Sequence, residues 1–258
     1  MNRRKFVKNT ISFTALIALH KVAQSCESWT NTETTAQLVN ARFPEITLNT
    51  SKLKEQLHFY SKVLGIPVID SDDKQFSLKI GASILRFKEV NNGFNPTYHF
   101  AFNIPSNKFK KAKKWLSTKT PLLGNGLYYF DFWDAHAMYF RDPAGNIGEL
   151  IARHTLDNDR EGEFGITDLL CVSEIGTPVR NPSDFASELK KAYNLDAYAE
   201  SMFIGDENGI FVVVPKGRLW YPDYILEAEV YPIDILISDE GVDELKYKKY
   251  PYSIKRKK

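Results

Sequence analysis

The chain has 258 residues, of which 43% are hydrophobic and 13% aromatic. That is enough to bury a sizeable core, and too many large apolar side chains for a disordered protein. The formal charge is +2, but Arg3, Arg4, Lys5, Lys8 and Lys21 face no acid in the first 25 residues, so the rest of the chain is mildly acidic at about −3, which argues against nucleic acid as the main partner.

In chain order, the start reads Met1-Asn2-Arg3-Arg4-Lys5-Phe6-Val7-Lys8 and leads into a short apolar stretch from Ile11 to Leu19. It is too short to span a membrane and has the length of a signal core. It resembles the twin-arginine export motif, and Lys21 before the expected cleavage region suits that route. Residues 1–26 are therefore expected to be an export signal; the alternative is a basic amphipathic helix of the mature fold. Ala23-Gln24-Ser25-Cys26 resembles a loose lipobox. Under one reading Cys26 carries lipid and becomes the new N-terminus, and under the other the signal is removed without lipid. The expected location is periplasmic or membrane-anchored. Residues 27–40, rich in Thr, Asn, Ser and Glu, read as a flexible tether. The second cysteine, Cys171, lies in the apolar run Leu169–Val172 and reads as an inert core thiol.

From residue 41 a pattern repeats. The first unit opens with a strand at Glu45–Thr50. A helix follows, with Leu53, Leu57, Tyr60 and Leu64 on one face, and Gly65 ends it. Three strands come next, at Pro67–Asp70, Gln75–Ile80 and Ser83–Lys88. The second unit starts at Tyr98–Ile104, has a helix from Ser106 to Leu116 and ends on a strand at Ile147–Ala152. The third, within 166–240, starts at Ser173–Val179. Its helix runs from Ser183 to Tyr193, and its strands are Ser201–Gly205, Ile210–Val214 and Ile233–Ile237. Residues 241–258, ending Lys255-Arg256-Lys257-Lys258, read as a basic, solvated tail. The expectation is an α+β protein of three βαβββ units with curved mixed sheets. Two units, within 41–156, would form a half-open barrel around a cavity. The odd count leaves a partner edge, which fits a homodimer.

Several motifs then coincide. Phe59-Tyr60 precedes Leu64-Gly65, and His99-Phe100-Ala101-Phe102 opens the second unit. Tyr139-Phe140-Arg141-Asp142-Pro143-Ala144-Gly145-Asn146-Ile147-Gly148-Glu149-Leu150 closes it. Together they resemble the vicinal-oxygen-chelate superfamily of glyoxalases, extradiol dioxygenases, fosfomycin-resistance proteins and bleomycin-binding proteins; the third unit resembles an appended half-module. The resemblance implies one divalent metal ion (Fe, Mn, Ni or Zn) in the cavity. Its ligands would come from the first strand of each unit and the last strand of the second, here Glu45, His99 and Glu149. Strand alternation supports this, since His99, Ala101 and Asn103 share one face, as do Glu45, Thr47 and Asn49. Each ligand has a second reading: a hydrogen-bonded cavity residue for His99, a salt bridge for Glu149 and an ion pair for Glu45. Glu174 holds the same place in the third unit as Glu45 in the first.

The place where the family carries a further carboxylate falls on Arg86, which would grip an anionic substrate or pair with Glu45. Tyr139 and Asn103 are expected to line the substrate site. His136 has the chemistry of a general base or acid, against the alternative of an edge histidine. The aromatic run Leu127–Trp133 reads as core packing or as a pocket wall for an aromatic ligand. Two functions compete: metal-dependent chemistry of the glyoxalase, lyase or dioxygenase type on a small oxygen-rich or aromatic molecule, and non-catalytic binding or sequestration of a small molecule. A relict cavity is a third reading.

Overall fold

The computed structural model describes residues 41–90, 93–198, 202–247 and 249–258. The expected export segment, Cys26 and the tether at 27–40 lie outside the described residues.

The first unit runs β1 (Glu45–Thr50), α1 (Leu53–His58), β2 (Val68–Ser71), β3 (Gln75–Ile80) and β4 (Ser83–Glu89). The second runs β5 (His99–Ile104), α2 (Phe109–Ser117), β6 (Tyr128–Phe130), β7 (Ala135–Arg141) and β8 (Ile147–Arg153). In both, the first strand lies parallel to the last, and the remaining strands continue the sheet antiparallel. The third unit is shorter: β9 (Cys171–Val179), α3 (Pro182–Tyr193), β10 (Phe203–Asp206) and β11 (Gly209–Pro215). Then come β12 (Ile233–Ile237), β13 (Glu244–Lys246) and β14 (Tyr252–Arg256), with no helix between them among the described residues.

These strands form two seven-stranded curled sheets. The first has the order β13-β14-β12-β1-β4-β3-β2, and the second β10-β11-β9-β5-β8-β7-β6. Two expectations change. The first unit does not share a sheet with the second. It is completed by β12–β14, while the second unit is completed by the third. The strand Ile233–Ile237, read as part of the third unit, crosses to pair with β1. The C-terminal segment is not a solvated tail either, because Tyr252 and Ile254 are buried as part of β14. Alternation explains both outcomes: Ile233, Ile235 and Ile237, like Tyr252 and Ile254, put an apolar face on the common core.

That core lies between the sheets. Phe43 meets Phe211 edge to face at 4.9 Å, and Phe59 lies 6.0 Å from Phe140. The most specific sequence motifs turn out to be its joints. Helix α1 continues as a wider π-helical turn, Phe59–Val63, and stops at Gly65, whose φ is +81°. This places Tyr60 and Gln56 over the buried Asp142, whose Oδ2 accepts from Tyr60 Oη (2.8 Å), Gln56 Nε2 (2.7 Å) and Asn146 Nδ2 (2.7 Å). The Asp142 Oδ1 accepts from the backbone N–H groups of Ala144 and Asn146. The Phe59-Tyr60 and Asp142-Pro143-Ala144-Gly145-Asn146 motifs therefore lock the first unit to the second. They satisfy a buried carboxylate and touch no site chemistry.

Candidate metal centre

The second sheet has one face on the common core and another lined by Ala101, Ala135, Ala137, Tyr139, Ile147, Ile151, Ile210, Val212 and Val214. Among these small and apolar side chains stand the buried polar groups His99 on β5, Glu149 on β8 and Glu174 on β9. The ladders bring them together. Ala101, two residues from His99, pairs with Glu149 across the parallel β5–β8 ladder and with Glu174 across the antiparallel β5–β9 ladder. A β-bulge between Ala101 and Phe102 makes the second placement work. Phe102 pairs with Val172, which leaves Ser173 as the extra residue, so Glu174 and Val172 point to opposite faces although they are two apart.

One ligand atom from each of His99, Glu149 and Glu174 lies within 4.8 Å of the others. His99 Nε2 is 3.5 Å from Glu149 Oε2 and 3.7 Å from Glu174 Oε2. His99 Nδ1 faces the Ile147 carbonyl oxygen at 3.3 Å. A carbonyl can only accept, so Nδ1 carries the proton and Nε2 turns toward the two carboxylates. With the imidazole neutral and both carboxyls ionised, that puts three electron-pair donors around one point, an arrangement a divalent cation would satisfy. Ligands about 2.0–2.2 Å from an ion such as Zn²⁺ sit at mutual separations close to these. The carbonyl behind Nδ1 is also the usual outer-shell brace of a metal-bound histidine. The donor set fits a divalent ion.

The electrostatics divide the two carboxylates. Burial, with the charge of Glu174 behind it, pushes the Glu149 carboxyl well above the ordinary range; Arg153 and a hydrogen bond with Tyr139 oppose that only in part. Burial also pushes Glu174 up, but the His99 imidazole and the Arg153 guanidinium outweigh it and hold that carboxyl below its usual value. The Arg153 Nη2 donates to Glu174 Oε1 at 2.5 Å. Tyr139 stands directly across the β7–β8 ladder from Glu149. Burial, with the charges of both carboxylates added, holds its phenol well above its ordinary value, so it remains a donor.

The centre is covered. Residues 216–231, between β11 and β12, fold back on themselves through hydrogen bonds from Gly217 N to Ala228 O and from Trp220 N to Leu226 O, each 2.8 Å. This strap lays the Trp220 ring 5.1 Å from the His99 ring and the Tyr221 ring 5.5 Å from Tyr139. Arg141 Nη2 bonds Asp223 Oδ2 at 2.7 Å and fastens the strap to β7. Gly176 provides the bed for Trp220, since a Cβ there would lie 2.7 Å from the indole.

Of the residues expected at the site, His99, Glu149 and Tyr139 are brought together. Asn103 lies further along the same face, where its Oδ1 accepts from Arg153 Nε (3.3 Å) and its Nδ2 donates to the Glu207 carbonyl (2.7 Å). Glu45 and Arg86 are elsewhere. They face each other in the first sheet at 3.2 Å, and Arg86 also reaches Asp70 at 3.4 Å. Glu174 stands where Glu45 was expected, because the second unit shares its sheet with the third. His136 lies on the opposite face of β7 from Tyr139, packed on Phe109 and Tyr129, with its Nδ1 2.7 Å from His154 Nε2. That parity keeps it out of the centre, on a strand paired on both sides with β6 and β8. Sequence reasoning left out Glu174 as a ligand, and it left out Arg153 and Trp220. The usable signal for Glu174 was its equivalence to Glu45; an arginine four residues after Glu149 on a buried strand was a second signal. The Cys171 thiol is buried and pushed up to about 12 by that burial, in keeping with an inert core residue.

No protein-family model matches the chain, and no curated protein matches it. Solved structures do. A "putative dioxygenase" from Bacillus subtilis matches with a TM-score of 0.52 at 17% identity, over 77% of this chain and 70% of that one. Lactoylglutathione lyase from Agrobacterium tumefaciens matches with a TM-score of 0.36 at 20% identity, over 43% of this chain and 92% of its own. An integron cassette protein from the Halifax Harbour sewage outfall matches with a TM-score of 0.39 at 23% identity, over 43% of this chain and 97% of its own. The paired βαβββ units, the two curled sheets and the Bacillus subtilis likeness together give this chain the vicinal-oxygen-chelate fold.

Proposed function

We propose that the chain is a metal-dependent vicinal-oxygen-chelate protein acting on a small oxygen-rich or aromatic molecule. One observation carries the reading: His99, Glu149 and Glu174 converge on a single point inside the second sheet. These three side chains would hold the ion. One imidazole with two carboxylates is a hard, mixed donor set that suits Mn, Fe(II), Ni or Zn. When bound, a divalent ion there supplies Lewis acidity toward neighbouring substrate oxygens.

The chain's own residues supply the rest. Tyr139 donates toward Glu149 and keeps its proton. Glu149, protonated more readily than an ordinary carboxyl in the ion-free protein, must release that proton when it becomes a ligand. Trp220 and Tyr221 lay aromatic rings over His99 and Tyr139, a surface that suits an aromatic or flat ligand. The Bacillus subtilis neighbour titled a "putative dioxygenase" shares the fold; the reading for this chain rests on its donor set. We also propose export, from Arg3-Arg4 and the apolar stretch behind them. Replacing both arginines by lysine should then leave the chain in the cytoplasmic fraction.

The test is the metal content of the full chain, purified without chelator and measured by mass spectrometry. About one ion per chain is expected, as for a single closed site. A chain that stays metal-free after supply of Fe(II), Mn(II), Ni(II) and Zn(II) would overturn the metal-dependent reading and leave small-molecule binding.

A further inference from the structure

We propose that Arg153 is an oxyanion receptor, and that the small molecule taken up at this centre carries a carboxylate or a comparable anionic oxygen group. The inference rests on the reading of the centre as a ligand site and names the chemical class of its ligand.

Among the described residues Arg153 is the largest fully buried side chain, with no exposed surface. Its guanidinium has five N–H donors in a rigid fork. The Nε donates to Asn103 Oδ1 and one Nη2 hydrogen to Glu174 Oε1, but Nη1 has no partner. The Tyr198 ring lies 5.6 Å from the guanidinium carbon, and its hydroxyl approaches the guanidinium without coming within hydrogen-bond reach of Nη1. Leaving a donor of a charged group buried and unpaired is costly, and such exceptions need a reason.

A structural counter-ion for Glu174 would not need an idle nitrogen. The protein shows what such a pair looks like. Lys108, also buried, donates from Nζ to both oxygens of Asp168 and to the Glu163 carbonyl, at 3.0–3.1 Å. Arg153 differs in being held at two points and open at a third. Asn103 fixes it from behind and is itself anchored on the Glu207 carbonyl. Glu174 uses one oxygen for Arg153 and turns the other toward His99, so one carboxylate ties the guanidinium to the centre.

Charge points the same way. Two ionised carboxylates would offset a divalent ion and leave the single positive charge of Arg153 unmatched. A monoanionic ligand restores balance in a buried site, where imbalance is most unfavourable. A planar fork favours a carboxylate over a neutral carbonyl.

The test compares oxamate with oxamide, which differ by a carboxylate in place of an amide. Each is titrated calorimetrically into the full chain and into Arg153→Met and Arg153→Lys, with metal content measured on the same samples. The parent is expected to bind oxamate about tenfold tighter than oxamide or better, the weight of one charge-assisted hydrogen bond. Both variants should lose that preference. Arg153→Lys keeps a positive charge beside Glu174 and guards against an Arg153→Met chain that does not fold; it lacks the second nitrogen. A parent that binds the two alike, or binds neither, would overturn the proposal, and so would a preference that survives in a folded variant. A parent without metal that still prefers oxamate would count against the metal reading alone.

Discussion

The two sheets of this protein are versions of one design, and they differ in what they do with the same positions. In the first sheet Glu45, Arg86 and Asp234 occupy the ladder positions that His99, Glu149 and Glu174 occupy in the second. Thr47 pairs with both Arg86 and Asp234, as Ala101 pairs with both Glu149 and Glu174. The first sheet leaves that face as an open cleft lined by Glu45, Thr47, Asp234, Ser253 and Lys255. An arginine stands there in place of a carboxylate, and the Glu45–Arg86 pair consumes both charges. The second sheet covers its face with the Trp220 strap and buries three donors with no cation of their own except Arg153. The same backbone register thus supports a solvated ion pair on one side and a metal-competent cluster on the other. Burial and the sign of one side chain make the difference.

Two arginines give the largest expected contrast. Arg153→Met leaves Glu174 charged and buried, so unfolding in urea should show a loss of about 3–5 kcal/mol. Arg86→Met removes a half-exposed pair and should cost less than about 1 kcal/mol. Similar losses at the two sites would erase the distinction between the sheets. Next is Gly176→Ala, whose methyl would press on the Trp220 indole. We expect a loss of about 1–3 kcal/mol from overpacking and a more solvent-exposed indole fluorescence; unchanged emission would mean that the strap does not rest on that strand.

Glu149 sharpens the comparison through pH. Its folded-state carboxyl is raised by burial, so the native chain holds that proton more tightly than the unfolded chain. The associated stability is complete below the ordinary carboxylate range and is lost as pH rises through the raised value. In chelator-treated protein, Glu149→Gln should flatten that decline in thermal midpoint, whereas Glu45→Gln in the open cleft should leave it in place. The smallest effect belongs to His136→Ala. On the far face of β7, it should change stability by about 0.5 kcal/mol or less and leave metal content as in the parent.

Much of the architecture was legible because it is written in alternation and punctuation. Glu45–Thr50 and His99–Ile104 announce strands with one polar and one apolar face, and Gly65 marks a helix end. His99 and Glu149 came from the family resemblance, and parity supported only the facing of His99. Which units would share a sheet was not legible, because β1 and β9 present equally suitable edges to a partner strand. The choice depends on Ile233–Ile237 reaching β1 across the intervening strap, a long-range pairing with no local signal. That one crossover puts Glu174, and not Glu45, beside His99 and Glu149. The bulge at Ser173 was hidden as well: a strict alternation would place Val172 and Glu174 on one face. The Tyr60–Asp142 joint shows the opposite hazard, where the middle of the most specific motif, Asp142 to Asn146, is a structural lock, and only Tyr139 and Glu149 toward its ends reach the centre.

The central claim is that the third donor is Glu174 and that the first sheet takes no part. The most direct test is metal content by mass spectrometry of the full chain carrying Glu174→Gln or Glu45→Gln, prepared side by side with the parent. The structure predicts that Glu174→Gln loses the bound ion and that Glu45→Gln retains the parental amount. Loss of the ion from Glu45→Gln, with Glu174→Gln still loaded, would contradict it.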